Sequence, residues 1–393
     1  MDYQTFEQYF LKEGRPTAAY VFSAEDLQER MELIRQKLPE KVRVLYAVKA
    51  NPFLLPLLKD WVDAFEICSP GEEVLCEKHC VPAGQFVISG VNKQEREIAG
   101  ALDYCGAESG AVFTIESENQ AVLLEKLAAE RGRQLPVLIR LTAGNQFGVD
   151  EETVFSLIAG RQAQLPHLQI RGLQFYSGTQ KKGKKIAREL QMLDRLIGEI
   201  REKLHFEVRE LEYGPGLYVP YFEKEAEEEA AALEQLVNGL EQMEFRGGIS
   251  LEMGRFIAAG CGYYVSRIAD SKISQGTEYL ILDGGIHQLN YYGQMMAMKK
   301  PYLLSKAEGE ERTVCICGSL CTVGDVLARD MTLKDPQKGD ILVFTRCGAY
   351  SVTEGISHFL SRDLPAVYLY HEKKLTCVRE KKELWEDNYG RFA

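Results

Sequence analysis

Val42-Arg43-Val44-Leu45-Tyr46-Ala47-Val48-Lys49-Ala50-Asn51-Pro52 is an apolar, β-rich run that ends on a lysine and then meets an Asn-Pro turn. β-Branched and aromatic residues favour strands, and a residue before proline is pushed away from helix. The stretch predicts a strand, Val42–Val48, with Lys49 at its C-terminal end. A lysine leaving a strand end can point its amine into a closed pocket. There desolvation or a neighbouring cation lowers its pKa and frees it to form a Schiff base. Taken alone, such a lysine is more often a solvated surface charge. The rest of the chain decides between the two.

Working outward, short β-like runs alternate with helical stretches over the first two-thirds of the sequence, the pattern of a parallel α/β fold. Eight strands are expected: Val42–Val48, Ala64–Cys68, Gln85–Ser89, Ala111–Ile115, Pro136–Leu141, Ile170–Tyr176, Glu207–Tyr213 and Gly248–Glu252. Amphipathic segments such as Ser117–Arg131 and Gly183–Leu204 separate them, and the acidic, Ala-rich Glu223–Met243 reads as the helix before the eighth strand. Eight such units predict a (β/α)8 barrel with its active site at the C-terminal ends of the strands. The residues found there are chemically distinctive: Lys49, Ser69-Pro70-Gly71, Arg140, Tyr176-Ser177-Gly178-Thr179, Gly214-Pro215-Gly216 and Glu252-Met253-Gly254-Arg255.

From about Phe256 the helical spacers disappear. Alternating runs at Gly262–Ile268, Glu278–Asp283, Thr313–Cys317, Asp340–Phe344 and Ala366–Tyr370 are separated by turns and predict an all-β domain, joined by the strand-like Ala18–Phe22. The expected organisation is a barrel over residues 23–255 and a β-rich domain from 1–22 plus 256–393.

A chain of 393 residues, 45% hydrophobic, suits two domains or one large barrel with an appendage. It has no run of about 18 apolar residues, so no membrane span is expected. Met1-Asp2-Tyr3-Gln4-Thr5-Phe6-Glu7 has neither a basic nor an apolar leader region, so no secretory signal is expected. The net charge of −11 disfavours nucleic acid as a partner. Ten cysteines without a regular framework imply reduced thiols and a cytoplasmic location. Cys76-x-x-His79-Cys80 and Cys315-x-Cys317-x-x-x-Cys321 lack the paired spacing of a structural zinc site, so no metal is expected.

Loops after strands seven and eight are where barrels commonly hold phosphate, on backbone N–H groups and a cation. Gly214, Gly216 and Gly254 let the backbone approach closely, and Arg255 can grip phosphate oxygens in a bidentate way. Glu252, inside the barrel end, needs a cationic partner. A protonated pyridine nitrogen would serve; a salt bridge to Arg255 or Arg140 is the alternative. Lysine, phosphate cradle and carboxylate together describe a site for pyridoxal 5'-phosphate.

Eight stretches in order carry a resemblance: Tyr46-Ala47-Val48-Lys49-Ala50-Asn51, Phe65-Glu66-Ile67-Cys68-Ser69, Gly172-Leu173-Gln174-Phe175-Tyr176-Ser177-Gly178-Thr179-Gln180, Gly214-Pro215-Gly216, Glu252-Met253-Gly254-Arg255, Asp283-Gly284-Gly285, Gly318-Ser319-Leu320-Cys321 and Gly348-Ala349-Tyr350. Through them the chain resembles the fold-type III pyridoxal-phosphate decarboxylases, the ornithine and diaminopimelate decarboxylase group with an alanine-racemase-like barrel. The resemblance implies that Lys49 is the Schiff-base lysine, that Thr179, Gly216, Arg255 and Tyr350 bind phosphate, and that Glu252 partners the pyridine nitrogen. It implies that Arg140, Tyr176, Gly214 and Gly254 also line the cofactor site. Cys321 matches the cysteine that returns a proton to the α-carbon. In the family that cysteine comes from the second subunit, which implies a homodimer with shared sites.

Three departures bear on substrate. Tyr176 stands where the family usually has a histidine, Thr322 stands where an acidic residue often recognises a distal amine, and Ile286-His287-Gln288-Leu289-Asn290-Tyr291-Tyr292-Gly293-Gln294 lacks the arginine used for a distal carboxylate. The pattern looks more like a subgroup that decarboxylates modified amino acids, including carrier-bound aminoacyl groups and siderophore intermediates. Asp283, His287 and Thr322, with Tyr291 and Tyr292, are the candidate substrate contacts; Asp283 has a turn-capping alternative and His287 a structural one. The expectation is thus a cytoplasmic, homodimeric α-decarboxylase of an amino acid or a carrier-tethered derivative. A racemase or epimerase on the same fold, or a non-catalytic cofactor-binding protein, remain the rivals.

Overall fold

The structure is a computed structural model that describes every residue except 107–108, 224, 226, 292–296 and 391–393, and leaves out the side chains of 227 and 228. Its contacts separate two units: Leu33–Tyr218 with Glu228–Phe256, and Met1–Glu32 with Val219–Glu227 and Ile257–Ala393. Strand β1 (Ala19–Ser23) is the first strand of the chain and belongs to the second of these.

The first unit is a closed parallel barrel of eight strands: β2 (Arg43–Ala47), β3 (Ala64–Ile67), β4 (Phe86–Ile88), β5 (Val112–Ile115), β6 (Leu135–Leu141), β7 (Leu168–Tyr176), β8 (Glu210–Gly214) and β9 (Gly248–Met253). It closes where Arg43 of β2 pairs with Ser250 of β9. Side-chain oxygens start the connecting helices: Ser69, Ser117 and Asp150 each accept the N–H three residues on, which satisfies a donor the first turn leaves open. The helix Gly183–Leu204 buries Ile186, Leu190, Leu193, Ile197 and Ile200 along one face, and Glu189 lies buried among them.

Leu45, Ala64, Val87, Val112 and Leu138, one from each of β2 to β6, form a buried aliphatic cluster. Side chains in a strand repeat on one face every second residue. Ala47, Glu66, Ser89, Thr114 and Arg140 therefore stand on the same face one step nearer the C-terminal end. On these five strands the barrel carries an aliphatic layer below and a largely polar layer above it.

The second unit is a nine-stranded mixed sheet. Its strands are β1 with β10 (Gly262–Ser274), β11 (Thr277–Leu282), β12 (Leu303–Leu304), β13 (Glu311–Cys317), β14 (Val326–Lys334), β15 (Ile341–Phe344), β16 (Ala366–His371) and β17 (Lys374–Arg379). The order is β14-β13-β11-β10-β1-β16-β17, with β15 paired to both β10 and β12. As expected for Ala18–Phe22, β1 enters this sheet, antiparallel to β10 and parallel to β16. Phe6, Phe10, Val21, Val265, Val343 and Tyr368 pack in its core. Residues 23–32 stay with the sheet, where Tyr263 donates to Asp26 at 2.5 Å. The acidic helix is shorter than its composition suggests, Glu227–Gln242, and its lead-in Val219–Glu227 joins the sheet unit.

Candidate active site

The turn Val48–Ala50 follows β2 directly, and it presents Lys49 at the barrel mouth. The Lys49 ammonium donates to Glu66 Oε2 at 2.7 Å and to Glu252 Oε1 at 3.3 Å, with Cys68 Sγ at 3.5 Å. Glu252 thus finds its cation in Lys49, and among the described residues neither Arg255 nor Arg140 takes that place. Arg140 instead bonds Glu116 at 3.1 Å and lies over the Phe147 ring at 4.7 Å.

Glu66, Glu212 and Glu252 are 2%, 2% and 8% exposed, and one oxygen of each lies within 4.8 Å of the other two. Three carboxylates so close in an apolar barrel cannot all be ionised. Burial disfavours ionisation of Glu66, but the Lys49 ammonium, with a hydrogen bond from Glu252, outweighs it and holds Glu66 at about 2. Burial, then repulsion from Glu66, push Glu252 well above the ordinary carboxylate range. The same two causes lift Glu212 to about 7. Its hydrogen bond comes from the neutral Gln174 amide, at 2.5 Å. Glu66 carries the charge, and Glu252 keeps its proton. This trio is the one cluster among the described residues with metal-ligand spacing. The Lys49 ammonium, bonded to two of its members, already supplies the cation.

The end of β8 and the segments after β7, β8 and β9 bring Gly214, Thr179, Gly216, Gly254 and Arg255 to this end of the barrel, and Arg255 Nε donates to Thr179 Oγ1 at 3.2 Å. A Cβ on Gly214 would stand 2.5 Å from the Tyr176 ring, so glycine is what lets the ring lie against β8. Gly216 has φ +52, and a Cβ there would stand 2.1 Å from the Gly178 carbonyl oxygen. Burial raises the Tyr176 phenol to about 12.

The residues fit pyridoxal 5'-phosphate: an amine, a buried proton-bearing acid for the ring nitrogen, an aromatic face, and glycine backbone beside an arginine. Arg140 Nε, Glu116 Oε2 and Gln174 Oε1 are buried polar atoms without partners among the described residues, open to a polar guest.

In the sheet unit, Cys321 and Thr322 are exposed on the loop between β13 and β14, next to Val323 at 90% exposure. Asp325, buried, anchors that loop: its carboxylate accepts the N–H of Ile286 and of Leu320, each at 2.7 Å. Tyr350 follows β15 with φ +67. His287 is buried, with neither ring nitrogen bonded among the described residues, and burial pushes its pKa down. Asp283 accepts from Thr17 Oγ1, Ser266 Oγ and the Arg267 N–H, so capping accounts for it and leaves no need of a substrate. Tyr291 is a core residue, donating to the Thr345 carbonyl and packed on Tyr221 and Phe222. Tyr292, Gly293 and Gln294 lie outside the described residues.

Sequence reasoning assigned no role to Glu66, Glu212, Gln174 or Lys181. A signal existed for the two glutamates: Phe65-Glu66-Ile67 and Leu211-Glu212-Tyr213 put a charge inside strands buried on both faces.

The family model described as "Pyridoxal-dependent decarboxylase, C-terminal sheet domain" matches residues 19–348. A diaminopimelate decarboxylase of Aquifex aeolicus is 26% identical over 387 residues, spanning 93% of this chain and 89% of its own. The 2-[(L-alanin-3-ylcarbamoyl)methyl]-2-hydroxybutanedioate decarboxylase of Staphylococcus aureus is 26% identical over 393 residues, spanning 92% and 96%. Among solved structures, the diaminopimelate decarboxylase of M. jannaschii in complex with L-lysine superposes with a TM-score of 0.84 at 22% identity, covering 94% of this chain and 91% of that one.

Proposed function

The chain belongs to the pyridoxal-dependent decarboxylase family, and from that premise we propose that it removes the α-carboxylate of an amino acid with a modified side chain, using Lys49, Glu252 and Cys321. The observation that carries this reading is the Lys49 ammonium bonded to both Glu66 and Glu252 at the C-terminal end of the barrel.

When bound, pyridoxal 5'-phosphate supplies a conjugated ring that accepts the electron pair left as CO2 departs. Lys49 offers the amine that holds this group, and Glu66 fixes that amine at the barrel mouth. Glu252 carries a proton on its carboxyl that it can give to a ring nitrogen, remaining beside it as the counter-ion. Arg255, Thr179 and the backbone of Gly214, Gly216 and Gly254 would receive the phosphate, and the family resemblance adds Tyr350. Tyr176, neutral with its phenol near 12, lends an aromatic face without charge. Arg140, oriented by Glu116, offers its buried Nε–H. Cys321 gives the proton from its Sγ to the α-carbon.

Thr322 brings no negative charge for a distal amine, and residues 286–294 bring no arginine for a distal carboxylate. Both favour a modified side chain over ornithine, lysine or diaminopimelate. Cys321 and Thr322, exposed on their loop, support a homodimer in which one copy's loop serves the other's barrel. Ten free thiols support a cytoplasmic setting. Among the described residues, no helix is long and apolar enough to cross a membrane.

The test is CO2 release from a panel of free, side-chain-modified and carrier-bound amino acids, with Lys49→Ala as the blank. Release from the modified free class, absent in the blank, is expected. Release from carrier-bound substrates alone would move the assignment to a tethered aminoacyl group. Solvent deuterium at the α-carbon without CO2 would make the protein a racemase.

A further inference from the structure

Behind Tyr176 and the glycine loops lies a cation that the proposed chemistry leaves unused. Lys181 is 3% exposed, a burial rare for lysine. Its ammonium donates to Glu189 Oε2 at 2.6 Å, to the Gly214 carbonyl at 3.0 Å and to Ser177 Oγ at 3.3 Å. Those three acceptors account for its three protons. Its backbone N–H donates to the Gly216 carbonyl at 2.8 Å. The same ammonium lies 5.8 Å from the Tyr176 ring centre and 5.0 Å from that of Tyr213, within cation–π reach. Glu189 is held in turn by the Tyr213 hydroxyl, at 2.7 Å, and by the Ser177 hydroxyl.

Lys181 therefore fastens the segment after β7 to the segment after β8 twice, through its main chain to Gly216 and through its side chain to Gly214. A buried ion pair is a poor way to gain stability, since apolar residues of similar size commonly serve as well or better. Its placement between two loops that must keep a fixed spacing is the better explanation. Glu189 also sits on the otherwise aliphatic face of the helix Gly183–Leu204, so the pair anchors both loops to a rigid element.

We propose that the Lys181–Glu189 pair is a positioning clamp that holds the Ser177–Thr179 and Gly214–Gly216 backbones at the spacing that receives the phosphate of the cofactor. The clamp rests on the cofactor site proposed above. Lys181 acts through the loops, since its own protons are committed elsewhere.

The test compares the affinity of the full-length chain, stripped of cofactor, for pyridoxal 5'-phosphate and for pyridoxal, which lacks only the phosphate. The proteins are the wild type, Lys181→Met and Glu189→Gln; the second variant keeps the side-chain shape should the first fail to fold. In the variants, affinity for the phosphorylated aldehyde is expected to fall by about tenfold or more while that for pyridoxal holds within about twofold, the mark of a lost charge-assisted hydrogen bond to phosphate. Equal losses for both aldehydes, or no loss for either, overturn the clamp. A wild type that binds both aldehydes equally overturns the phosphate cradle itself, and that failure is visible before any variant is made.

Discussion

Glu212 should make the cofactor-free protein lose stability as the pH rises, and Glu212→Gln should abolish that loss. The carboxyl is 2% exposed, its hydrogen bond comes from the neutral Gln174, and burial with the nearby Glu66 charge lifts it from 4.5 to about 7. A folded-state pKa above the unfolded one means the folded form binds the proton more tightly. That contribution is fully present below pH 4.5 and is lost as the pH climbs to about 7. At roughly 1.4 kcal/mol for each tenfold in proton affinity, the displacement is worth about 3 kcal/mol, most of it between pH 5 and pH 8. Glutamine keeps an acceptor for Gln174 and never ionises. Urea unfolding of wild type and variant at pH 5 and pH 8 measures the difference. The variant should gain about 2–3 kcal/mol on the wild type between the two pH values. A stability difference that is the same at both would refute the idea that Glu212 is a proton-holding acid.

Other substitutions separate the remaining roles. Cys321→Ala should still take up cofactor but lose clean amine formation, followed by product analysis; unchanged turnover would remove Cys321 from the chemistry. Gly216→Ala places a Cβ at φ +52 against the Gly178 carbonyl, costing about 1–2 kcal/mol of backbone strain before any clash, and should weaken cofactor binding by about tenfold or more in a fluorescence titration. A titration matching wild type would show that the loop need not approach so closely. Asp325→Ala frees the N–H groups of Ile286 and Leu320, and should lower kcat while cofactor affinity stays at the wild-type value. Equal kcat would mean that the Cys321 loop holds its shape without Asp325.

All eight barrel strands were legible because each is buried on both faces and reads as an apolar run bounded by turn residues. In the sheet unit, β12, β14 and β17 escaped notice, β12 because it is only two residues long. In β14 the alternation breaks at Arg329-Asp330, where Asp330 takes φ +51, and β17 is an edge strand with only Leu375 buried. Lys49, Glu252 and the loop glycines were found because strand order and motif agreed. Lys181 was hidden in the run Lys181-Lys182-Gly183-Lys184-Lys185, which reads as a solvated basic face. Nothing local distinguishes its first lysine from its neighbours; only the fold turns that one inward, against Glu189. Tyr291 shows the opposite error, since proximity to Asp283-Gly284-Gly285 suggested substrate contact where the chain needed a core aromatic.

The aliphatic layer of Leu45, Ala64, Val87, Val112 and Leu138 acts as an electrical insulator beneath Glu66, the charged member of the glutamate trio. Field lines from Glu66 are poorly screened on that side, so its charge is felt strongly by Glu212 and Glu252. Water admitted from below would act as a leak. Its dielectric would let Glu212 and Glu252 ionise together, and a barrel whose strands stayed intact would lose the protons its geometry is built to keep.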